Sequence, residues 1–319
     1  MSPVVGVAGH PAEPLTAGRR RGLREAALVP MAAGVWWLVG FLPWIASGLE
    51  APVVSGAVGG GVGTVRIAVP LLSITLGTLL VGAVLGGVCA GLLALAARSH
   101  RGWAAAATAT GVGIAVVVAL VQSTATLSRV APGFSGDPRV LLGLAVVVAG
   151  AALVGWAMGS GALFGAPGQG IALGLLAGVV PAWLLGLVLS VGVAAYDGLT
   201  VLGRATDLVG AAVLACALVV VGVRPPARLG SWPVILVVAW LAVPIQTAAV
   251  YLGPLLRPGA GLPGTLPDSL AAAWQVFGQA LSPAHRWLVP WVLAVVVAVA
   301  VSALRARRST VPAGAGSAS

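Results

Sequence analysis

Long apolar runs separated by short polar segments dominate the chain. One run, Ile67 to Ala97, has thirty-one residues without a charged side chain and ends at Arg98. At about 1.5 Å of rise per residue, a helix of this length measures roughly 46 Å, whereas the hydrocarbon layer of a bilayer is about 30 Å thick. Such a helix is too long and too apolar for a soluble domain. The run therefore predicts a membrane span that tilts, bends near Pro70 or projects beyond the bilayer.

The same pattern recurs along the chain and predicts an all-α fold, a polytopic transmembrane helical bundle of about eight spans within residues 26–305. The predicted spans are 27–47, 67–97, 103–128, 140–164, 171–195, 208–223, 232–252 and 287–304. Residues 1–25 and 306–319 are predicted to be disordered cytoplasmic tails. The uncharged turn 165–170 is assigned to the cytoplasmic side. The alternative is that this turn belongs to a re-entrant segment.

Arginine positions predict the orientation of the bundle, and all seventeen basic residues are arginine. The eight-span arrangement places eleven arginines and two acids inside, a net charge of +9, against six arginines and five acids outside, a net charge of +1. This asymmetry is what the positive-inside rule expects, so both termini are predicted to be cytoplasmic. Because the arginines border spans, the net charge of +10 does not indicate nucleic acid as a partner.

The glycines of the second span predict close helix packing. On a helical wheel Gly82 and Gly86 share one face, whereas Gly77, Gly87 and Gly91 cluster on the opposite face. Small residues allow neighbouring backbones to approach, so this span is predicted to lie centrally with a partner on each side. The alternative is that glycine is simply abundant in this chain, which contains 46 of them.

An internal repeat is suggested when spans two and three are laid over spans six and seven. The matching positions are Cys89, Arg98, Arg101 and Trp103 against Cys216, Arg224, Arg228 and Trp232. A four-plus-four arrangement in parallel orientation, of the kind found in many transporters, would give this pattern. Topology alone is the alternative, because it also places arginine at cytoplasmic span ends.

One amphipathic helix is predicted outside the spans, at residues 268–281. Its apolar stripe contains Leu270, Trp274, Phe277 and Leu281, and the opposite face is polar. Such a helix is expected to lie roughly parallel to the membrane at the outer interface, with its stripe on the leaflet or over the mouth of the bundle. The alternative is a lid, or a docking surface for a partner.

Polar side chains inside the predicted spans are few. The candidate intramembrane contacts are Gln122, Ser123, Thr124, Gln246 and Thr247. They are expected to bridge helices by hydrogen bonds, and substrate contact is the alternative. Prolines 43, 70, 181, 244 and 290 are expected to shape packing or to free carbonyl groups. No acid or arginine falls within a predicted span interior, which counts against ion-coupled transport.

The sequence predicts no enzyme, no cofactor and no metal site. His10, His100 and His285 lie in a tail, an inner loop and an outer loop, and both cysteines lie in apolar spans without a metal-binding spacing. Catalytic constellations of the triad or zinc type are absent from the sequence.

Two features resemble a known family: the stop signal Ala96-Ala97-Arg98-Ser99-His100-Arg101, and the entry Pro70-Leu71-Leu72-Ser73 to a glycine-rich helix. With the Ala/Gly/Val/Leu-rich spans, they resemble the uncharacterised streptophobe-type integral membrane proteins of high-GC actinobacteria. The resemblance implies an all-α, multi-pass protein of the plasma membrane and transfers no site residue.

Two functions remain in view. The first is a non-enzymatic scaffold, or a membrane subunit of a larger assembly, whose partners are the lipid bilayer and either another membrane protein or further copies of this chain. The second is a permease for an uncharged or lipidic substrate. A cavity that reaches the midplane and is lined by Gln122 and Gln246 would favour the permease.

Overall fold

The computed structural model describes residues 26–54, 62–66, 69–97, 100–130, 138–192, 198–256 and 265–308. Helices make up most of these residues. In chain order they are α1 (Leu28–Gly40), α2 (Leu42–Ala46), α3 (Leu76–Leu92), α4 (Arg101–Val130), α5 (Pro138–Ser160), α6 (Ala166–Ser190), α7 (Leu199–Val221), α8 (Ser231–Leu255), α9 (Leu266–Leu281) and α10 (Val289–Arg308). The predicted tail 1–25 and residues 309–319 lie outside the described residues.

Six helical stretches of the described chain are long and apolar enough to cross a membrane. They are Ser73–Ala96, Arg101–Arg129, Pro138–Phe164, Ala166–Ser190, Leu199–Val221 and Pro226–Leu255. Two further helices, Leu28–Gly40 and Val289–Arg305, are apolar but shorter. The protein is therefore a predominantly helical membrane protein with six candidate spans, and each of the eight predicted spans contains a helix.

The structure corrects several predicted boundaries. Helix α7 begins at Leu199, nine residues before the predicted start, so Arg204 and Asp207 lie inside the helix rather than before it. Apolar residues flank both charges, and an established helix extends through them at little cost because each added residue gains a backbone hydrogen bond. At the other end of the chain α10 continues to Arg308, into the predicted tail.

The turn predicted at 165–170 is almost entirely helical. A short 3₁₀ turn, Gly161–Phe164, follows α5, and α6 begins at Ala166 with a proline in its first turn. Gly165 between them has φ of 102°, a conformation that side chains other than glycine rarely adopt. Gly165 is therefore the only non-helical residue between the 3₁₀ turn and α6, and the segment 165–170 is not a loop.

A β-hairpin lies between the first two predicted spans, in a segment for which the sequence analysis predicts no strand. Strands β1 (Glu50–Val54) and β2 (Val62–Arg66) pair antiparallel, with Glu50 opposite Arg66 and Val54 opposite Val62. Both strands are rich in valine, which favours extended backbone. The glycines 59–61 between the strands lie outside the described residues.

Helix α3 is the centre of the bundle. In its candidate span, 67% of an apolar 18-residue window is buried, whereas the share is 22–39% in the other five candidate spans. Gly82 and Gly86 pack against the backbone of α1, whereas Gly87 and Gly91 pack against the backbone of α5. The prediction of close packing on two faces is confirmed. Gly77 departs from it, because it contacts Val250 of α8 and not α5.

The two halves of the chain pack in the same order. In the first half α1 packs against α3 and α4, and α3 packs against α5; in the second half α6 packs against α7 and α8, and α7 packs against α10. A four-plus-four repeat requires this correspondence. Helix α9 distinguishes the halves, because residues 131–137, which link α4 to α5, are too few to contain a helix of its length.

Candidate functional site

A cavity of about 210 Å³ lies in the second half of the bundle. Helices α6, α7 and α8 enclose it together with the segment that leads into α10. Its lining contains three ionisable side chains among apolar ones: Ala177, Pro181, Asp207, Gly210, Ala211, Leu214, Val243, His285, Arg286, Trp287, Pro290 and Trp291.

Close contact between α6 and α7 forms one wall of the cavity. A Cβ atom added to Gly210 would lie 2.7 Å from Cγ of Pro181 and 2.9 Å from the carbonyl oxygen of Ala177, so only glycine fits. Pro181 also lacks the amide that would bond to the Ala177 carbonyl in a regular helix. Asp207 lies almost one turn before Gly210, and this contact therefore brings its carboxylate to the cavity.

Arg286 is held by three contacts. Its Nε donates to the carbonyl of Ala280 at 3.0 Å, and its Nη2 donates to the carbonyl of Trp240 at 3.0 Å. The guanidinium carbon also lies 3.9 Å from the centroid of the Trp240 ring, a cation–π contact. The Trp240 carbonyl is available because Pro244, four residues later in α8, has no amide to donate.

The third nitrogen of this guanidinium, Nη1, is buried and has no hydrogen-bond partner among the described residues. Burial lowers the pKa of Arg286 from its usual value. The side chain nevertheless stays charged, since arginine is not deprotonated in proteins. A buried donor of a charged group without a partner costs about 1–3 kcal/mol or more. The cavity therefore contains a fixed cation with unused donor capacity.

The charge around the cavity is net positive. Among the described residues no ion pair joins Asp207 to Arg286, although both line the cavity. Arg204, almost one turn before Asp207, places its guanidinium carbon 5.7 Å from the centroid of the Trp287 ring. The two guanidinium groups and the one carboxylate together contribute a charge of +1.

A wholly apolar groove of about 610 Å³ adjoins the cavity. It is open along the side of the bundle between α8 and α10, and its lining comprises Leu236, Val237, Trp240, Leu241, Leu281, Trp291, Val292, Val295 and Val296. Trp291 lines both the groove and the cavity. Its ring meets that of Trp240 edge to face, with centroids 5.0 Å apart. The groove and the polar cavity therefore meet at this tryptophan pair.

None of the five candidate intramembrane contacts from the sequence lines the cavity or the groove. Ser123 is buried, donates to Ala119 at 2.7 Å and accepts from the amide of Val69 at 3.0 Å. The hydroxyls of Thr124 and Thr247 bond to carbonyls of their own helices, and Gln122 is exposed on α4 while Gln246 is half-buried on α8. The hydroxyl of Ser123 therefore joins α4 to the non-helical segment that precedes α3.

The predicted amphipathic segment is helical, as α9. Leu270, Trp274 and Leu281 are 50%, 71% and 37% exposed. Phe277 is half-buried and stacks on Trp274 with centroids 5.1 Å apart. On another face of the helix Ser269 and Ala273 are buried. The apolar stripe therefore faces outward rather than into the bundle.

Helix α9 lies against α8. The indole nitrogen of Trp240 donates to the carbonyl of Leu281 at 3.1 Å. Trp240 lies fifteen residues before Leu255, the last residue of α8, which is a distance of about 22 Å along the helix axis. The bond therefore holds the C-terminal end of α9 at this position beside α8. A helix resting across the end of α8 would not reach this point. Helix α9, which packs against α8, instead ends beside its middle.

Comparison of the chain with protein-family models, with curated proteins and with solved structures gives no match. The resemblance to streptophobe-type proteins stays a prediction.

Proposed function

We propose that the protein is a permease-type membrane protein that takes a lipidic, amphiphilic substrate laterally from the bilayer. The observation that carries this proposal is the groove–cavity pair that shares Trp291. An amphiphile has an apolar chain and a polar end. The groove offers an apolar surface open to the side, and the cavity offers a few polar groups at its inner end.

The proposed topology has eight spans, with both termini on the cytoplasmic side of the plasma membrane. The charge asymmetry of the loops supports the orientation. Helices α1 and α2 together cover Leu28–Ala46, which gives about 28 Å, close to the thickness of the hydrocarbon layer. Helix α10, with 20 residues, gives about 30 Å. Both are long enough to add to the six candidate spans.

The repeated packing order of the two halves supports a transport role, because many transporters are built from structural repeats with the substrate site near the midplane. Asp207 lies at the ninth position of α7, well inside a candidate span. The sequence predicted that no acid or arginine lies in the interior of a span. Asp207 is an exception to that prediction if α7 crosses the membrane.

A scaffold or subunit role is the second candidate. The exposed apolar stripe of α9 favours this role. Trp274 is still 71% exposed although its ring stacks on Phe277. A membrane protein partner or a second copy would cover this stripe. Purification in mild detergent with a partner at constant stoichiometry, lost in the Trp274→Ser variant, would support this role.

Photocrosslinking tests the proposed permease. The full chain is placed in proteoliposomes that contain a phospholipid with a photoreactive acyl chain, and the labelled residues are mapped. Val296→Trp fills the groove, and Val146→Trp serves as the matched control, because Val146 is exposed on α5 to a similar extent (62% against 56%). We expect labels to concentrate in the groove and Val296→Trp alone to remove them.

Movement of a fluorescent lipid between the leaflets of the same proteoliposomes measures transport. Wild type and Val146→Trp are expected to accelerate this movement over protein-free vesicles, and Val296→Trp is expected to abolish the acceleration. Equal labelling of all lipid-facing helices, together with no acceleration by the wild type, would refute the permease proposal.

A further inference from the structure

We infer that the cavity recognises a singly charged oxyanion at the polar end of the substrate, such as a phosphodiester or a carboxylate, through Nη1 of Arg286. This inference rests on the proposed function, because it names the chemistry of the same site. A carboxylate or phosphodiester oxygen is the partner that a guanidinium nitrogen matches best.

The guanidinium group of Arg286 is held in a fixed position. Ala280 and Trp240 accept from two of its nitrogens, and the ring of Trp240 covers one face of the guanidinium plane. Of the three guanidinium nitrogens, only Nη1 is left without a partner among the described residues. The hydroxyl of Ser302 on α10 is also buried without a partner, but Ser302 does not line the cavity. Buried polar groups in folded proteins nearly always have a partner, so an orphaned donor in a cavity indicates an acceptor that arrives from outside.

The charges near the cavity favour a ligand with one negative charge. Arg286 and Arg204 contribute +2 near the cavity and Asp207 contributes −1. A single negative charge on the ligand would neutralise the site. A cation or a doubly charged anion would leave net charge beside the partly buried guanidinium of Arg286, which is costly. Asp207 thus selects against phosphomonoesters, which carry about −1.5 to −2 at neutral pH.

The cavity lies beside the groove. Trp240 lines the groove, and the face of its ring supports Arg286. A ligand with its chain in the groove would therefore bring its polar end toward Nη1 past the Trp240–Trp291 pair. A free anion such as inorganic phosphate offers the same oxygen acceptors, but it has no acyl chain to bind in the groove.

The test compares three photoreactive lipids with identical chains in nanodiscs that contain the full-length protein. Phosphatidylglycerol carries one negative charge, phosphatidic acid carries nearly two, and diacylglycerol carries none. We expect phosphatidylglycerol to label the groove about tenfold to a hundredfold more strongly than diacylglycerol, the usual gain from hydrogen bonds to a charged group. An excess of inorganic phosphate is expected not to compete.

Arg286→Gln is expected to remove the preference for phosphatidylglycerol, whereas Arg129→Gln, at the exposed end of α4, is expected to retain it. Because Arg286 also anchors α9, Asp207→Asn provides a second variant that leaves those anchors in place. It raises the local charge to +2 and is expected to shift the preference toward phosphatidic acid.

The outcomes separate the two proposals. Equal labelling of the groove by all three lipids overturns the oxyanion inference and leaves lateral lipid entry standing. Absence of groove labelling by any lipid overturns the proposed function itself. Competition by inorganic phosphate at the same concentration as the lipid overturns a lipidic source, and an unchanged preference in Asp207→Asn overturns the charge balance.

Discussion

The carbonyl of Trp240 accepts a hydrogen bond from Nη2 of Arg286 at 3.0 Å. In a regular helix the amide four residues later would occupy this carbonyl, but that residue is Pro244. The first half of the chain repeats the relation. Pro43 leaves the carbonyl of Val39 without its usual donor, and the indole of Trp183 donates to it at 3.0 Å. In both places a proline creates the acceptor that a distant side chain uses.

Pro244→Ala supplies an amide that competes with Arg286 for the Trp240 carbonyl. We therefore expect a double-mutant cycle of Pro244→Ala with Arg286→Gln to show a coupling free energy of about 0.5–3 kcal/mol, the usual range for residues that share a partner. Unfolding in detergent micelles measures the free energies. Pro254→Ala in the same helix is the control. Its cycle with Arg286→Gln should be additive, and additivity in both cycles would contradict the assigned role of Pro244.

Trp183→Phe keeps an aromatic ring but removes the donor to Val39. The half-buried carbonyl is then left unsatisfied, and we expect the free energy of unfolding to fall by about 1–2 kcal/mol. Trp103→Phe is the control, because Trp103 is 69% exposed. A similar loss of stability for the two variants would show that the Trp183 bond does not hold α6 to α1.

Gly87→Ala tests the central packing of α3. The added Cβ would lie 2.5 Å from the carbonyl oxygen of Ala152 and 2.9 Å from the amide nitrogen of Trp156, both backbone atoms of α5. Separating the helices to relieve this contact should cost about 1–3 kcal/mol, as overpacking does in other cores. Gly150→Ala in α5 is the control, since a Cβ there meets no atom within 4 Å. If both variants unfold at the same temperature, close packing at Gly87 is not needed for stability.

Helix positions were predictable because each apolar run had to be helical in a bilayer, where every backbone polar group needs a partner within its own segment. Helix ends were harder to predict. Hydropathy ends a span before a charged residue, yet Arg204 and Asp207 lie within α7. There Arg204 contacts the Trp287 ring, and Asp207 lines the cavity. The hairpin was missed because its short strands are separated by glycines.

The candidate site was not predictable in the same way. Arg286 was counted as an outer-loop charge, because loop arginines near span ends normally face water. Its partners lie 6 and 46 residues away on two other helices, and only the packing of α8, α9 and α10 brings them together. One signal was present in the sequence. Pro244 inside a span implied a free carbonyl at Trp240, although the sequence did not indicate which donor would take it.

The last prediction concerns the depth of α9 in the membrane. Its C-terminal end is fixed beside Trp240, about 22 Å from the end of α8, by the bond from the Trp240 indole to the Leu281 carbonyl. Helix α8 is a candidate span. If it crosses the bilayer, α9 descends into the membrane from its start at Leu266, and successive residues on its exposed stripe lie progressively deeper.

Spin labels at Leu266, Leu270 and Trp274 measure this depth, since all three are at least half exposed and lie four residues apart on one stripe. Each step advances about 6 Å along the helix axis. We expect the ratio of oxygen to nickel-chelate accessibility to rise from the first label to the third, with a slope close to that of Leu142 and Val146, two exposed positions four residues apart on the candidate span of α5. Equal ratios at the three α9 positions would place the helix flat at the interface, as its amphipathic pattern alone suggests. That result would require α8 to be strongly tilted, because the Trp240–Leu281 bond cannot otherwise form.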